Sequence, residues 1–387
     1  MASIYPTTRR LSRATRLSGP ERLVTTRLHT LLIAAPGLES LVCAEAERLV
    51  GGAWKTTPGG VEGWVETPGL VRLAAQHRTG DGLRVRIGRF TASTFDALID
   101  GARRVPWHAW IPRDAAVRVR ARCSKSKLYH SGAVEERVAA VLAEGGRASA
   151  DDGTAVHLRL HQDKVVVRVD ALDRPMHHRG YRTAVGRAPL RESLAAACID
   201  AARADLDAAT AIVDPFVGSG TLLAEAALAI GGRPVRTAPF GFEAWPSWSA
   251  PEGEAASEVE GASAAPSSLP ILIGSDRSAH ELDNVRANLG RLGVEAALSS
   301  ADIADAMWPE GAVLVCNPPW GTRSGRDDAR ATLKRLGDAL RAGPRLRAAW
   351  VLLPGDGALA RVAGLGTDRV LTFDDRGRRV AWYRWTP

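Results

Sequence analysis

The chain has 387 residues, 45% of them hydrophobic and 24% charged, and carries a formal net charge of +8. That length exceeds one compact core of ordinary size, so more than one domain is expected. The four cysteines, Cys43, Cys123, Cys198 and Cys316, form neither a CxxC pair nor a cluster with histidine. This argues against structural zinc or a disulfide framework and for reduced thiols in a cytoplasmic setting.

The apolar runs are too short to cross a bilayer, which predicts a soluble chain without membrane contact. A basic balance favours a polyanionic partner, although arginine- and alanine-rich composition also follows from GC-rich coding.

Residues 1–27 are polar and arginine-rich, with Arg9, Arg10, Arg13, Arg16, Arg22 and Arg27 against a lone Glu21, and read as a disordered basic leader. From 28 to 110 the pattern alternates β-like and helix-like stretches, with a helix expected over 37–50. That fits a small α+β domain.

A cationic strand follows, Ala115-Ala116-Val117-Arg118-Val119-Arg120-Ala121-Arg122, alternating apolar with basic residues, and then Lys125 and Lys127 precede a helix over about 131–143. Residues 154–160 and 164–169 form a hairpin around His161-Gln162-Asp163. Arg118, Arg120, Arg122, Lys125 and Lys127 are candidate RNA contacts, although a solvated strand face has the same charge pattern. His177 and His178 have no cysteine or carboxylate at metal-ligand spacing and are assigned to a loop or an RNA-facing surface.

The segment from Ala211 to Ile230 reads as a strand, a glycine-rich turn at Gly218-Ser219-Gly220, and an apolar helix ended by Gly231-Gly232. A third glycine at dinucleotide spacing and a Gly-Lys-Ser/Thr ending are both missing, so phosphate-binding patterns fit poorly. Asp214 at the strand end would repel a pyrophosphate but suits a cation, such as the ammonium and sulfonium of S-adenosylmethionine.

Residues 249–268 are built from Ala, Ser, Gly, Glu and Pro and read as a flexible insertion. The next strand ends in Asp276, a candidate acceptor for ribose hydroxyls, and a third run leads to Asp302, a candidate acceptor for an adenine amine. Taken singly, Asp302 is more often a turn or cap residue.

The apolar run 311–316 then delivers Asn317-Pro318-Pro319-Trp320-Gly321 to a strand end. Consecutive prolines hold φ near about −65° and shape the loop in advance. The Asn317 side-chain carbonyl and the Pro318 backbone carbonyl can each accept one hydrogen of an exocyclic amine, and Trp320 can stack on the base. Further strands are expected at 348–353, 370–373 and 380–385, the last two as a hairpin closing a doubly wound, mostly parallel sheet.

With these motifs in place the chain resembles the THUMP-bearing RNA guanine-N2 methyltransferases, most closely the bacterial 23S ribosomal RNA enzymes. The likeness runs from about Leu28 to the end. It is carried by Asp214-Pro215-Phe216-Val217-Gly218-Ser219-Gly220-Thr221, by the Asn317 loop, by His178-Arg179-Gly180-Tyr181-Arg182 and by the segment from Ala188 to Ala197. Val217 and Trp320 stand where the family usually has Cys and Tyr.

The resemblance implies an α/β architecture in which a ferredoxin-like domain (28–110) and a THUMP RNA-binding domain (111–172) precede a Rossmann-like methyltransferase domain (173–387). It implies S-adenosylmethionine contacts at Asp214, Phe216, Gly218, Ser219, Gly220, Asp276 and Asp302, a target base held by Asn317, Pro318, Pro319 and Trp320, and no metal. The expected reaction is methylation of guanine N2 in 23S ribosomal RNA. Transfer RNA as substrate, adenine N6 as acceptor, and an RNA-binding ribosome assembly factor without turnover are the alternatives.

Overall fold

The computed structural model describes residues 27–184, 190–250, 269–320, 326–364 and 368–387. Residues 1–26 of the leader, nearly all of the 249–268 insertion, Ala188, Pro189 and Gly321 lie outside these. Two seven-stranded sheets organise the chain.

The first is built from β1 (Leu28–Ile33), β2 (Lys55–Thr57), β3 (Gly60–Val65), β4 (Gly82–Thr91), β5 (Val117–Ser124), β6 (Thr154–His161) and β7 (Lys164–Asp170), in the order β2-β3-β1-β4-β7-β6-β5. It is continuous across residue 110, because β4 pairs with β7 along seven registered positions from Arg84↔Asp170 to Thr91↔Lys164. The helices Phe95–Arg103 and Ser131–Glu144 pack together on one face. The second of them is the crossover that lets β5 and β6 run parallel. Gln162 and Asp163 take positive φ (51° and 59°) at the β6–β7 hairpin.

The second sheet comprises β8 (Ala211–Asp214), β9 (Ile271–Asp276), β10 (Ala297–Ser300), β11 (Val313–Cys316), β12 (Ala348–Pro354), β13 (Arg369–Asp375) and β14 (Arg378–Trp385). Its order is β10-β9-β8-β11-β12-β14-β13, parallel except at β14, which is antiparallel to both neighbours. The expected doubly wound sheet with a terminal hairpin is therefore present. β8 and β11 are buried throughout, as strands covered on both faces must be. The chain order reverses between β8 and β11, where open α/β sheets bind ligands.

The two units are fastened in ways the sequence pattern does not display. Phe240, Phe242 and Trp245 belong to the core of the first sheet, although the chain there lies between elements of the second. The Phe242 amide donates to the Ala171 carbonyl (2.9 Å) and the Ser247 amide to that of Ala109 (3.0 Å). In the other direction Ala35 and Leu38 join the core of the second sheet. Gly37 has φ of 96°, and a Cβ there would lie 2.5 Å from the Thr372 carbonyl oxygen, so close docking requires glycine.

At the junction a polar network is sealed from water. The Arg179 Nε lies 2.9 Å from Glu225 Oε1, with both side chains fully buried, and the Tyr181 hydroxyl donates to the same oxygen at 3.0 Å. Glu45 accepts from the Thr79 hydroxyl (2.6 Å) and from the Arg78 and Thr79 amides. His77 and Arg78, with these hydrogen bonds, hold its carboxyl down at about 2 against the opposing pull of burial. Arg236, pushed down to about 9 by burial, spans the junction by donating to the carbonyls of Ala74 (2.6 Å), Met176 (2.7 Å) and His77.

Candidate functional site

The carboxyl ends of β8, β9, β10 and β11 form one edge, and the candidate cofactor residues lie along it. Asp214, the last residue of β8, is 2% exposed and accepts from the Phe216 amide at 3.0 Å. Burial pushes its carboxyl up to about 8, opposed by that hydrogen bond and aided by the neighbouring Asp276. A buried carboxyl with no cationic partner among the described residues fits a positively charged ligand group.

Gly218 (φ 48°) and Gly220 (φ 81°) carry the turn into the helix Thr221–Gly231. A Cβ on Gly218 would meet only the Phe216 carbonyl oxygen at 3.9 Å, so the turn has open space on that side. Asp276 at the end of β9 accepts from the Gly218 amide (3.3 Å) through one oxygen and from the Ser278 amide (2.9 Å) through the other. It thus ties the second strand end to the glycine turn while keeping acceptor capacity on both oxygens. Phe216 is partly buried beside these groups, and the Ser219 side chain faces Thr221 Oγ1 at 3.3 Å.

Asp302, beyond the end of β10, is placed as a cap. Its Oδ1 accepts from the Ala304 amide (3.2 Å), and Arg335 Nε lies 3.4 Å away.

Beside β8 in the sheet, β11 ends at Cys316 and delivers Asn317 to the same edge. Asn317 is half-buried, and its side-chain amide engages no described residue. Pro318 is buried behind it. Trp320 is wedged between the hydrophobic clusters on the two faces of the sheet, and its indole N–H donates to the Leu352 carbonyl at 2.9 Å. The ring is therefore fixed before any ligand arrives. A cavity of about 680 Å³ lined by Arg203, Leu206, Thr210 and Ile271 lies at the opposite, amino-terminal edge of β8 and β9, away from this chemistry.

Sequence reasoning did not single out Asn288. Its buried amide donates to the Ser219 carbonyl in the glycine turn (3.0 Å) and to the Ala184 carbonyl in the linker (2.9 Å). The signal available was a polar residue on the buried stripe of Leu282, Val285 and Leu289. Arg182 adds a second tie, donating to the Leu190 carbonyl (2.6 Å), Glu192 (2.9 Å) and Thr221 (3.4 Å).

On the first sheet, β5 alternates as expected, with Val117, Val119 and Ala121 buried and Arg118, Arg120 and Arg122 directed away from the helices. Lys125 (φ 48°) and Lys127 are exposed on the following turn, where the Lys127 amide donates to Asp163 at 2.7 Å. His177 is half-buried 3.8 Å from Asp81, and burial pushes its imidazole down to about 4. No metal-ligand cluster forms among the described residues, and no described helix is long and apolar enough to cross a membrane.

Comparison with known proteins finds the THUMP domain over residues 92–170 and UPF0020, the RMKL-like methyltransferase domain, over 179–353. The THUMP match begins before β5 and includes the helix Phe95–Arg103. Ribosomal RNA large subunit methyltransferase K/L of Chromohalobacter salexigens is 30% identical over 342 residues, covering 81% of this chain and 46% of that one. Its counterpart from Methylococcus capsulatus is 33% identical over 322 residues, covering 76% and 42%. The chain thus spans less than half the length of these relatives.

Among solved structures, a predicted N6-adenine-specific DNA methylase from Listeria monocytogenes superposes with a TM-score of 0.79 at 25% identity, covering 93% of this chain and 97% of that one. SMU.472, solved in complex with SAH, gives 0.79 at 23% identity, covering 94% and 99%.

Proposed function

This chain belongs to the RMKL-like methyltransferases that carry a THUMP domain, and from that premise we propose that it methylates the exocyclic N2 amine of a guanine in RNA, with 23S ribosomal RNA as substrate. The observation that carries the reading is the pairing of β8 with β11, which brings the Asp214–Gly220 turn and the Asn317 loop to one edge of the sheet. On this reading the turn would hold the cofactor and the loop would orient the amine beside it.

S-adenosylmethionine supplies an electrophilic methyl on a sulfonium. Asp214 would hold its cationic amino-acid end, the Gly218–Gly220 turn would admit its backbone-facing surface, Asp276 would accept from the ribose, and Asp302 would reach the adenine amine with whatever acceptor capacity its cap and arginines leave.

The reacting amine has its lone pair delocalised into the base. Asn317 Oδ1 and the Pro318 carbonyl would each accept one amine hydrogen, which turns the lone pair toward the methyl group. The N–C bond forms as the C–S bond breaks. The amine becomes acidic as it is alkylated, so its proton leaves to water or to a loop acceptor, and no strong general base is needed. Trp320, already immobilised by Leu352, would cover a face of the base and exclude water. A base taken from a helix costs a few kcal/mol to flip out. Arg118, Arg120, Arg122, Lys125 and Lys127 would hold the RNA, and a ribosomal substrate makes the cytoplasm the site of action.

The test is transfer of labelled methyl to unmethylated cellular RNA, fractionated and digested to nucleosides. N2-methylguanosine in 23S RNA is expected. The same nucleoside in transfer RNA would change the substrate, and no label with cofactor bound would favour an assembly factor. N6-methyladenosine is the second reading: the Asn-Pro-Pro-Trp loop serves any planar exocyclic amine, and the Listeria relative is described as acting on adenine.

A further inference from the structure

We infer that the RNA-binding surface extends beyond the β5 edge over the whole open face of the first sheet, and that Trp64 at its far side is a stacking platform for an unpaired base. The inference rests on the reading that the substrate is RNA.

Helices cover one face of this sheet, and strand alternation sends Arg84 and Arg86 of β4, Arg168 of β7, Arg159 of β6 and the β5 arginines to the other. The register sets Arg86 directly opposite Arg168 and Arg122 directly opposite Arg159. Like charges facing each other across a ladder are destabilising. Glu62 offsets the Arg86–Arg168 pair, whereas Arg122 and Arg159 have no ion-pair partner among the described residues, and a bound polyanion would supply one.

The countercharge on this face is small. Glu62 pairs with Arg168, and Asp170 lies 2.8 Å from Arg84 and 3.0 Å from His157. Arg168 is 6% exposed, and its Nε has no hydrogen-bond partner among the described residues. Burial lowers its pKa against the pull of Glu62, and Arg159, Arg86 and Arg84 lower it further.

At the far side of the face, on β3, Trp64 is 47% exposed. Its ring is braced edge-on by His29 (centroids 4.9 Å apart, planes at 89°), with the Arg86 guanidinium 5.3 Å from the centroid. A large, half-exposed aromatic ring beside the Arg86 guanidinium suits a flat base next to its own phosphates. The face from β3 to β5 spans about 24 Å at strand spacing. A duplex keeps its bases stacked internally, so the occupant is a single-stranded RNA segment.

The experiment titrates the full chain into a labelled single-stranded RNA oligonucleotide, and into its duplex, across a salt series. Trp64→Ala should weaken single-strand binding about tenfold with an unchanged salt slope, and Trp64→Phe should restore most of it. Arg159→Ala and Arg122→Ala should each reduce the slope by about 1. Thermal melts exclude unfolding, since the Trp64, Arg122 and Arg159 side chains are exposed. Wild-type affinity in Trp64→Ala together with a wild-type slope in Arg159→Ala would overturn the surface, as would tighter binding of the duplex. Methyl transfer scored in parallel separates the two readings. Its absence from every RNA would overturn the proposed function, while the titration still decides the surface.

Discussion

The Asn288 amide nitrogen bridges the Ser219 carbonyl at 3.0 Å and the Ala184 carbonyl at 2.9 Å, joining the glycine turn to the segment that enters the methyltransferase unit. The Asn288 side chain also accepts from the Ala184 amide at 3.3 Å, so one fully buried side chain satisfies backbone groups on two separate segments. Asn288→Ala would leave those groups unpaired, and a stability loss of about 1–3 kcal/mol is expected. Calorimetric melting measures that loss, and titration with the cofactor measures the accompanying weakening. A fall in Tm with unchanged cofactor affinity would restrict Asn288 to a structural role.

Asp214 makes this edge of the sheet sensitive to pH. Its folded-state value of about 8 lies above the ordinary 3.8, so the folded chain binds this proton more tightly than the unfolded chain does. The sign follows: the contribution of this group to stability is greatest at low pH and declines as pH rises from about 4 through about 8. Asp214→Asn should flatten that part of the stability profile. Binding a cationic cofactor at neutral pH should expel the proton. Calorimetry in buffers of differing ionisation enthalpy would detect its release in the wild type and none in the variant, which should also bind more weakly.

The central strands of the second sheet were legible because each is a short apolar run closed by a punctuating residue: Asp214 at the end of β8, Asp276 at the end of β9, Asn317 and Pro318 after β11. The turn of the final hairpin was equally plain, with Arg376 (φ 50°) and Gly377 (φ 79°) between β13 and β14. The continuity of the first sheet was not legible. β4 alternates on both its edges alike, and nothing local says that its partners are β1 and β7. The crossing of Phe242 and Trp245 into the other core lacked a signal too, since this irregular stretch has neither helical nor strand period. Within the site, strand ends could be read from the sequence, whereas the supporting roles of Asn288 and Arg182 depend on which distant backbone groups need a donor.

The Arg179–Glu225 pair tests whether the two units fold together, because the Arg179 guanidinium also donates to the Arg78 carbonyl of the first unit at 2.6 Å. Both side chains are fully buried, with Tyr181 donating to the same carboxylate. Arg179→Met would strand a carboxylate away from water and should cost about 3–5 kcal/mol. Adding Glu225→Gln should recover part of the loss by removing the buried charge. Urea unfolding checks both, and a single transition in the wild type that separates into two in Arg179→Met would identify the pair as a source of cooperativity between the sheets.

Asn317 separates binding from chemistry. It follows β11 at the sheet edge that carries the glycine turn, and no described residue uses its amide, so its replacement removes no hydrogen bond among the described residues. Asn317→Ala should therefore keep the wild-type melting temperature and cofactor affinity while lowering kcat about 10²–10³-fold, the scale for losing one oriented polar contact to a reacting group. Trp320→Phe is the contrasting case. It keeps an aromatic face but gives up the hydrogen bond to Leu352, so the ring loses its anchor between the two faces of the sheet. A modest loss of stability and a raised KM for RNA are expected, with kcat reduced far less than in Asn317→Ala. Single-turnover methyl transfer at saturating cofactor measures both variants. Equal kcat losses in the two would mean that stacking, rather than capture of the amine hydrogens, limits the reaction.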